Sequence, residues 1–103
     1  MIRHSVHLRF RADINEAEKQ SLYDALGALA GYIDSIVDFP HRKNVSVETP
    51  LVRDFNDMFW FDFRDRSVRD TYLIDPEHQA IGARIVETLE GGAEGVFVCD
   101  VEL

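Results

Sequence analysis

A phenol and an imidazole stand at the two ends of one short segment, Tyr72-Leu-Ile-Asp-Pro-Glu-His78. Within it, Asp75 followed by Pro76 is typical of a helix N-cap and the first residue of the helix. This pattern predicts that His78 lies in the first turn of a helix and that Tyr72 lies near the end of the segment before it. A phenol can hold a carbonyl and an imidazole can move a proton, so the pair indicates acid–base chemistry.

Each member of the pair also has a purely structural interpretation. The positive end of a helix dipole favours the neutral imidazole that a general base needs, but His78 could equally be an inert, hydrogen-bonded capping residue. Tyr72 could stabilise an enolate through its hydroxyl, or it could be a core tyrosine that bridges helix and sheet. The residue types alone leave both alternatives open.

Two further polar residues are predicted on the apolar side of the sheet. Residues 2–10 alternate as a strand with one packed face, and His4 shares that face with Val6 and Leu8. Asp57 shares the corresponding face of a later strand, where a buried carboxylate needs a partner or stays protonated. His4 or His78 is the expected partner, unless Asp57 is solvated at a pocket mouth. His4 itself could instead be a satisfied core residue.

These side chains are positioned by a simple order of elements within one domain, residues 1–103. Strands are predicted over residues 2–10, 36–45, 55–63 and 95–103. Helices are predicted to begin at Asp13, Asp65 and Pro76 and to end near Gly31, Leu73 and Gly91. The resulting order, β-α-β-β-α-β with a broken second helix, predicts an α+β, ferredoxin-like fold with a four-stranded antiparallel sheet and helices on one face. Pro40 makes the second strand an edge strand.

The sheet face without helices is predicted to be an interface. Large apolar groups occur on both faces of the third strand, and helices cover only one of them. The uncovered face is expected to carry Met58, Trp60, Val96 and Val98. Exposed apolar patches of this kind usually mark binding surfaces, so we expect a homodimer that packs sheet against sheet. The alternative is a monomer in which Arg and Lys stems shield the face.

Composition excludes several classes of function. A net charge of −8 and a pI near 4.8 disfavour nucleic acid and anionic membrane surfaces as partners. One cysteine, Cys99, excludes an internal disulfide and is expected to be a small buried hydrophobe in the last strand.

We expect no cofactor and no metal, since no phosphate-binding loop and no tight spacing of metal ligands is present. Without a signal peptide or a membrane-length apolar run, a cytoplasmic location is expected.

Three stretches resemble a known family. These are the opening strand Ile2–Phe10, the segment Lys43–Ser46 and the motif Tyr72–Gln79. Taken whole, the chain resembles the stress-responsive dimeric α+β barrel (Dabb) family, which implies a homodimer, no cofactor and, for most members, no established activity. One plant member is a polyketide cyclase that performs a cofactor-free aldol condensation.

The plant cyclase's catalytic Tyr and His match Tyr72 and His78, and a further pocket His matches His4. Another pocket His matches Asp57, where this chain departs from the cyclase. Asp75 is a second departure, because many relatives carry a His before the proline.

Two functional hypotheses follow. In the first, each subunit holds an apolar or aromatic carbonyl compound in a pocket walled by Phe59, Phe61 and Phe97. Proton abstraction by His78, with Tyr72 as carbonyl anchor and His4 and Asp57 as further polar groups, would lead to aldol-type closure or isomerisation. In the second, the protein is a non-catalytic stress protein that acts as a stable homo-oligomer. A third hypothesis, that the protein is an oxygenase, rests only on the analogy of its fold. A cavity beside Tyr72 and His78 discriminates the first two.

Overall fold

The computed structural model describes all residues from Met1 to Leu103. The strands are β1 Ile2–Leu8, β2 Ile36–Asp38, β3 His41–Lys43, β4 Asp57–Phe63 and β5 Val96–Glu102. The helices are α1 Glu16–Gly27, α2 Thr49–Val52, α3 Arg66–Ile74 and α4 Pro76–Glu87, and 3-10 turns span Ala28–Gly31 and Gly92–Gly95. None of these helices has both the length and the apolar character that a bilayer crossing requires.

The sheet has the predicted ferredoxin-like topology. Its strands are antiparallel and lie in the order β2-β4-β1-β5, with β3 also paired to β4. The second predicted strand is divided into β2 and β3 because Pro40 cannot donate to the ladder, and both pieces lie at the sheet edge, as expected. The sheet therefore has five segments where four strands were predicted.

The central strand β1 sets which side chains face the helices. It pairs with β4 and β5 along its whole length, and His4 lies opposite Phe61 on one side and Asp100 on the other. Directly opposed residues of an antiparallel pair share a face, so all three side chains point toward the helices. The predicted faces of β1 and β4 are confirmed, because Ile2, His4, Val6 and Leu8 and their β4 partners Asp57, Phe59, Phe61 and Phe63 are all buried.

The predicted faces of the last strand are reversed. Val98 lies opposite Val6, so Val96, Val98 and Asp100 face the helices, whereas Phe97 and Cys99 lie on the open face. Cys99 is exposed and is not the buried hydrophobe that the pattern indicated. Apolar residues alternate on both faces of this strand, so hydrophobic periodicity could not orient it. Its register follows from backbone hydrogen bonds, including the one from Arg9 N to Gly95 O at 2.8 Å.

Each long helix begins at a side-chain cap. The first cap is Asn15, whose Oδ1 accepts from Glu18 N at 2.8 Å, so this helix begins later than the predicted start at Asp13. The caps predicted for the later helices are confirmed, since Asp65 Oδ1 accepts from Val68 N at 3.1 Å and Asp75 Oδ2 accepts from the backbone N of His78 at 2.9 Å. Caps of this kind typically stabilise a helix by about 1 kcal/mol. The largest fully buried side chains between helices and sheet are Tyr72, Phe61, Phe63, Leu8, Leu26 and Leu29.

Replacing Gly95 by Ala is expected to destabilise the fold. A Cβ at this position would lie 2.7 Å from Glu90 O and 2.8 Å from Leu89 Cβ, where the chain enters β5. Overpacking of this kind costs about 1–3 kcal/mol, which urea unfolding followed by circular dichroism measures. The matched control is Gly31→Ala, because a Cβ there meets nothing within 4 Å. Equal stabilities of the two variants would contradict the proposed role of Gly95.

Candidate active site

A cavity of about 310 Å³ lies on the helix-facing side of the sheet, between α4 and β5. Its volume is at the lower end of the range of about 300–1,000 Å³ that small-molecule sites occupy. The lining residues are mostly apolar and come from β1, β4, β5, α1, α3 and α4. They are His4, Val6, Leu26, Phe59, Tyr72, Leu73, His78, Gly82, Ile85, Val86, Val96, Val98 and Asp100.

Three polar rings meet in this cavity. The ring centroids of Tyr72 and His78 are 3.8 Å apart, and the Tyr72 and His4 centroids are 5.7 Å apart in an edge-on arrangement. The Asp75 cap explains the first contact, because it starts α4 immediately after α3 and turns the His78 side chain back toward Tyr72. The structure therefore brings Tyr72, His78 and His4 together, as the sequence predicts.

His78 has no inert capping role. The cap is the carboxylate of Asp75, and the buried Nδ1 atom of His78 has no hydrogen-bond partner. Burial, and secondly the positive charge that nearby His4 carries when it is protonated, lower the pKa of the His78 imidazole. The ring is therefore neutral near pH 7. Burial also raises the pKa of the Tyr72 phenol, which consequently remains protonated and can donate a hydrogen bond.

His4 belongs to a chain of polar contacts across the first and last strands. Its Nδ1 lies 2.6 Å from Asp100 Oδ1, and the other carboxylate oxygen, Oδ2, accepts from Arg69 Nη1 at 2.8 Å. Burial raises the pKa of Asp100, but the hydrogen bonds from Arg69 and His4 outweigh it and hold that pKa below its usual value. Asp100 is therefore an ionised carboxylate that can only accept, so we infer that Nδ1 of His4 carries a proton.

The sequence interpretation missed Asp100 and Arg69. Asp100 alternates in step with Val96 and Val98, which the pattern places on the open face, and no pattern in the sequence singles out Arg69. The available signal was cross-strand pairing. An antiparallel match of the first and last strands with Val98 beside Val6 brings Asp100 next to His4.

Asp57 lies outside this site, and the predicted contact with a histidine is wrong. Its carboxylate is buried and contacts Lys43 Nζ at 2.6 Å and Lys19 Nζ at 3.1 Å. It is therefore neither bound to His4 or His78 nor solvated at a pocket mouth. The ladder explains the separation, because Asp57 lies opposite Leu8 whereas His4 lies opposite Phe61, further along β4.

The three predicted aromatic wall residues occupy different places. Phe59 lines the cavity. Phe61 lies behind Tyr72, with ring centroids 4.7 Å apart, and is fully buried in the core. Phe97 is on the opposite face of the sheet beside His7, with 57% of its surface exposed, so it cannot form a wall of this cavity. No three His, Cys, Asp or Glu side chains converge as metal ligands would.

The family model described as the stress responsive A/B barrel domain matches residues 2–103. The chain belongs to this family. No sequence among curated proteins matches it. Among solved structures, a dimeric ferredoxin-like protein of unknown function from Jannaschia sp. CCS1 is 25% identical, with a TM-score of 0.88 over 99% of this chain and 98% of that one.

Two other solved structures share the Dabb fold at lower identity. An Arabidopsis thaliana protein is 19% identical, with a TM-score of 0.86 over 100% of this chain and 95% of that one. The hydroxynitrile lyase from Passiflora edulis is 11% identical, with a TM-score of 0.81 over 99% of this chain and 92% of that one. At these identities the likeness establishes the fold and leaves the chemistry to the residues of the cavity.

The lowered pKa of His78 predicts a specific loss of stability in acid. The folded state disfavours the imidazolium. His78 therefore does not lower the free energy of unfolding above its unfolded-state pKa of about 6.5, and it lowers this free energy increasingly as the pH falls from there toward the folded-state pKa. His78→Gln is expected to lose less stability than the parent between about pH 7.5 and about pH 5.5, by about 1.4 kcal/mol for each pKa unit. Urea unfolding at both pH values measures this difference.

The other histidines serve as an internal control in that experiment. His7 also has a pKa lowered by burial, but it is present in both proteins and cancels from the comparison. Identical pH dependence in the parent and in His78→Gln would contradict the description of His78 as a desolvated, neutral imidazole.

Proposed function

We propose that this Dabb protein binds a small apolar or aromatic carbonyl compound in the cavity beside Tyr72 and His78. The observation that carries the proposal is the cavity itself, about 310 Å³ in volume, with mostly apolar walls and three adjoining polar rings. Mostly apolar walls with a few convergent polar groups are typical of small-molecule sites.

The polar rings support cofactor-free proton abstraction next to the carbonyl. Tyr72 is a protonated phenol and suits the carbonyl oxygen as a hydrogen-bond donor, which stabilises the enolate as negative charge develops. A neutral imidazole in the same cavity takes the proton. Aldol-type ring closure or isomerisation then follows from the enolate, and neither reaction requires a cofactor. A stress-related role and a cytoplasmic location stay predictions from the resemblance and from the sequence.

We also propose that the protein is a homodimer that buries the open face of the sheet. Phe97 and Val101 on this face are 57% and 45% exposed. Arginine stems partly cover Trp60, with the Arg3 guanidinium 5.3 Å from its ring, but they leave the β5 residues uncovered. The interface therefore includes the predicted Met58 and Trp60. Phe97, Cys99 and Val101 replace Val96 and Val98, which face the helices.

The ligand site is tested by filling the cavity. A Cβ at Gly82 of α4 meets nothing within 4 Å, so Gly82→Leu is expected to occupy the cavity without disturbing the fold. Neutral aryl ketones such as phenylacetone should raise the melting temperature of the parent, by a stabilisation of about 2.7 kcal/mol at about 100 times Kd. The shift is expected to vanish in Gly82→Leu and to decrease in Tyr72→Phe and His78→Ala.

Ala83→Leu is the matched control, because Ala83 is the exposed neighbour of Gly82 on the same helix. It should retain the full ligand-induced shift. Equal stabilisation of the parent, Gly82→Leu and Tyr72→Phe would show that the ligand binds outside this cavity. If no compound of the panel stabilises the parent, the non-catalytic structural role is the better hypothesis.

The dimer is tested by placing a charge on the open face. Phe97→Glu and Trp60→Glu are each expected to convert the dimer to a monomer, because an unpaired carboxylate is costly to bury. Light scattering after size-exclusion chromatography measures the mass. Ile74→Glu is the control, since Ile74 is 74% exposed on α3 over the other side of the sheet. Open-face variants that remain dimeric would refute this interface.

A further inference from the structure

We propose that His4, and not His78, accepts the proton in this cavity, and that Asp100 and Arg69 are positioning residues that fix His4 in the required tautomer. This assignment rests on the proposed function and departs from the role of His78 that the sequence resemblance implied. It follows from the contacts of the two imidazoles, which differ in the hydrogen bond that fixes the tautomer and in the charge that lies next to the ring.

The contact between His4 and Asp100 decides where the His4 lone pair lies. Because Nδ1 is 2.6 Å from an ionised carboxylate oxygen, the proton of the neutral ring is on Nδ1. The lone pair is therefore on Nε2, which is not among the fully buried polar atoms without a partner, and we infer that a substrate proton would reach this atom. His4 is buried and lines the cavity, and the carboxylate also holds its ring orientation.

A base becomes a cation when it accepts a proton, and of the two imidazoles only His4 has a carboxylate in direct contact with its ring. The Asp100 carboxylate directly contacts His4 and stabilises the imidazolium as it forms. His78 has an unpartnered buried Nδ1, and its burial and the charge of His4 both oppose protonation. His78 is therefore less suited than His4 to hold a proton.

Arg69 has a distinct role in this arrangement. Its Nη1 donates to the second oxygen of Asp100, so the charge of the carboxylate is already balanced before His4 is charged. A carboxylate without this arginine would draw a proton onto His4 at rest and remove its lone pair. The titratable groups that face His4 are Asp100 on β5, Arg69 and Tyr72 on α3 and His78 on α4. The neighbouring β4 side chains, Phe61 and Phe63, are uncharged.

The proposed step balances without any co-reactant. The C–H bond next to the ligand carbonyl breaks, its electron pair enters the enolate, and the proton passes to Nε2 of His4. Tyr72 donates its hydroxyl hydrogen bond to the enolate oxygen throughout. Return of a solvent deuteron from Nε2 to carbon regenerates the ketone, so hydrogen–deuterium exchange of a simple ketone reports the step.

The tautomer is tested first and needs no ligand. Nitrogen-15 NMR of the parent is expected to show that the neutral His4 ring carries its proton on Nδ1. In Asp100→Asn the Nε2–H form is expected to gain population. In Arg69→Met the His4 ring is expected to become protonated at higher pH than in the parent, and Arg69→Lys is expected to restore the parent behaviour.

Arg66→Met is the matched control, because Arg66 is also on α3 and pairs with a β5 carboxylate, Glu102, at 3.3 Å. It should leave the His4 spectrum unchanged. A parent His4 protonated on Nε2 alone, or an Arg69→Met spectrum identical to that of the parent, would overturn the positioning roles. Should Asp100→Asn fail to fold, the Arg69 variants give the same decision.

Proton abstraction is tested by exchange of the benzylic hydrogens of phenylacetone in deuterium oxide, followed by proton NMR. His4→Gln is expected to lose at least about 100-fold of the enzyme-dependent rate, as removal of a general base typically does, and His78→Gln is expected to lose less. Exchange that persists in His4→Gln and disappears in His78→Gln would overturn the assignment. Phenylacetone that binds without exchange would also overturn it while leaving ligand binding intact, whereas the absence of binding would contradict the proposed function itself.

Discussion

The register of the central strand β1 is the constraint on which the rest of this structure depends. β1 is hydrogen-bonded on both sides, and a shift by one residue would turn every one of its side chains to the other face of the sheet. Its buried set, from Ile2 to Leu8, holds the register by removing apolar surface from water. The same register places Phe61 and Asp100 on either side of His4. The core and the polar contacts of the cavity are therefore both consequences of how β1 pairs with its two neighbouring strands.

The junction between α3 and α4 is the second element that builds the site. The Asp75 side chain accepts both the backbone N–H of His78 and, at 2.6 Å, the hydroxyl of Tyr32. Asp75 thus ends α3 through its backbone N–H, which donates to Tyr72 O, and its carboxylate begins α4 and ties it to the turn after α1. Because the chain direction changes within two residues, the rings of Tyr72 and His78 lie in contact where a continuous helix would separate them along its axis.

The two faces of the sheet have different roles for a physical reason. Helices cover one face incompletely near β5, an edge strand, and this leaves the cavity with its aromatic, imidazole and carboxylate groups. The other face has no helix and retains exposed apolar side chains on β5. Packing two such faces together would bury this surface and leave both cavities outside the interface, so binding of a small molecule and dimer formation do not compete for the same residues.

The sequence by itself determined the elements whose signals are local. Alternation identified the faces of β1 and β4, the Asp75-Pro76 pair located the start of α4, and Pro40 marked the edge strand. With these, the fold and the meeting of Tyr72, His78 and His4 could be predicted. The orientation of β5, the lysine partners of Asp57 and the contacts of Asp100 with His4 and Arg69 were decided only by the tertiary structure. They depend on pairing between residues far apart in the chain, and a strand that is apolar on both faces contains no local signal of which face turns inward.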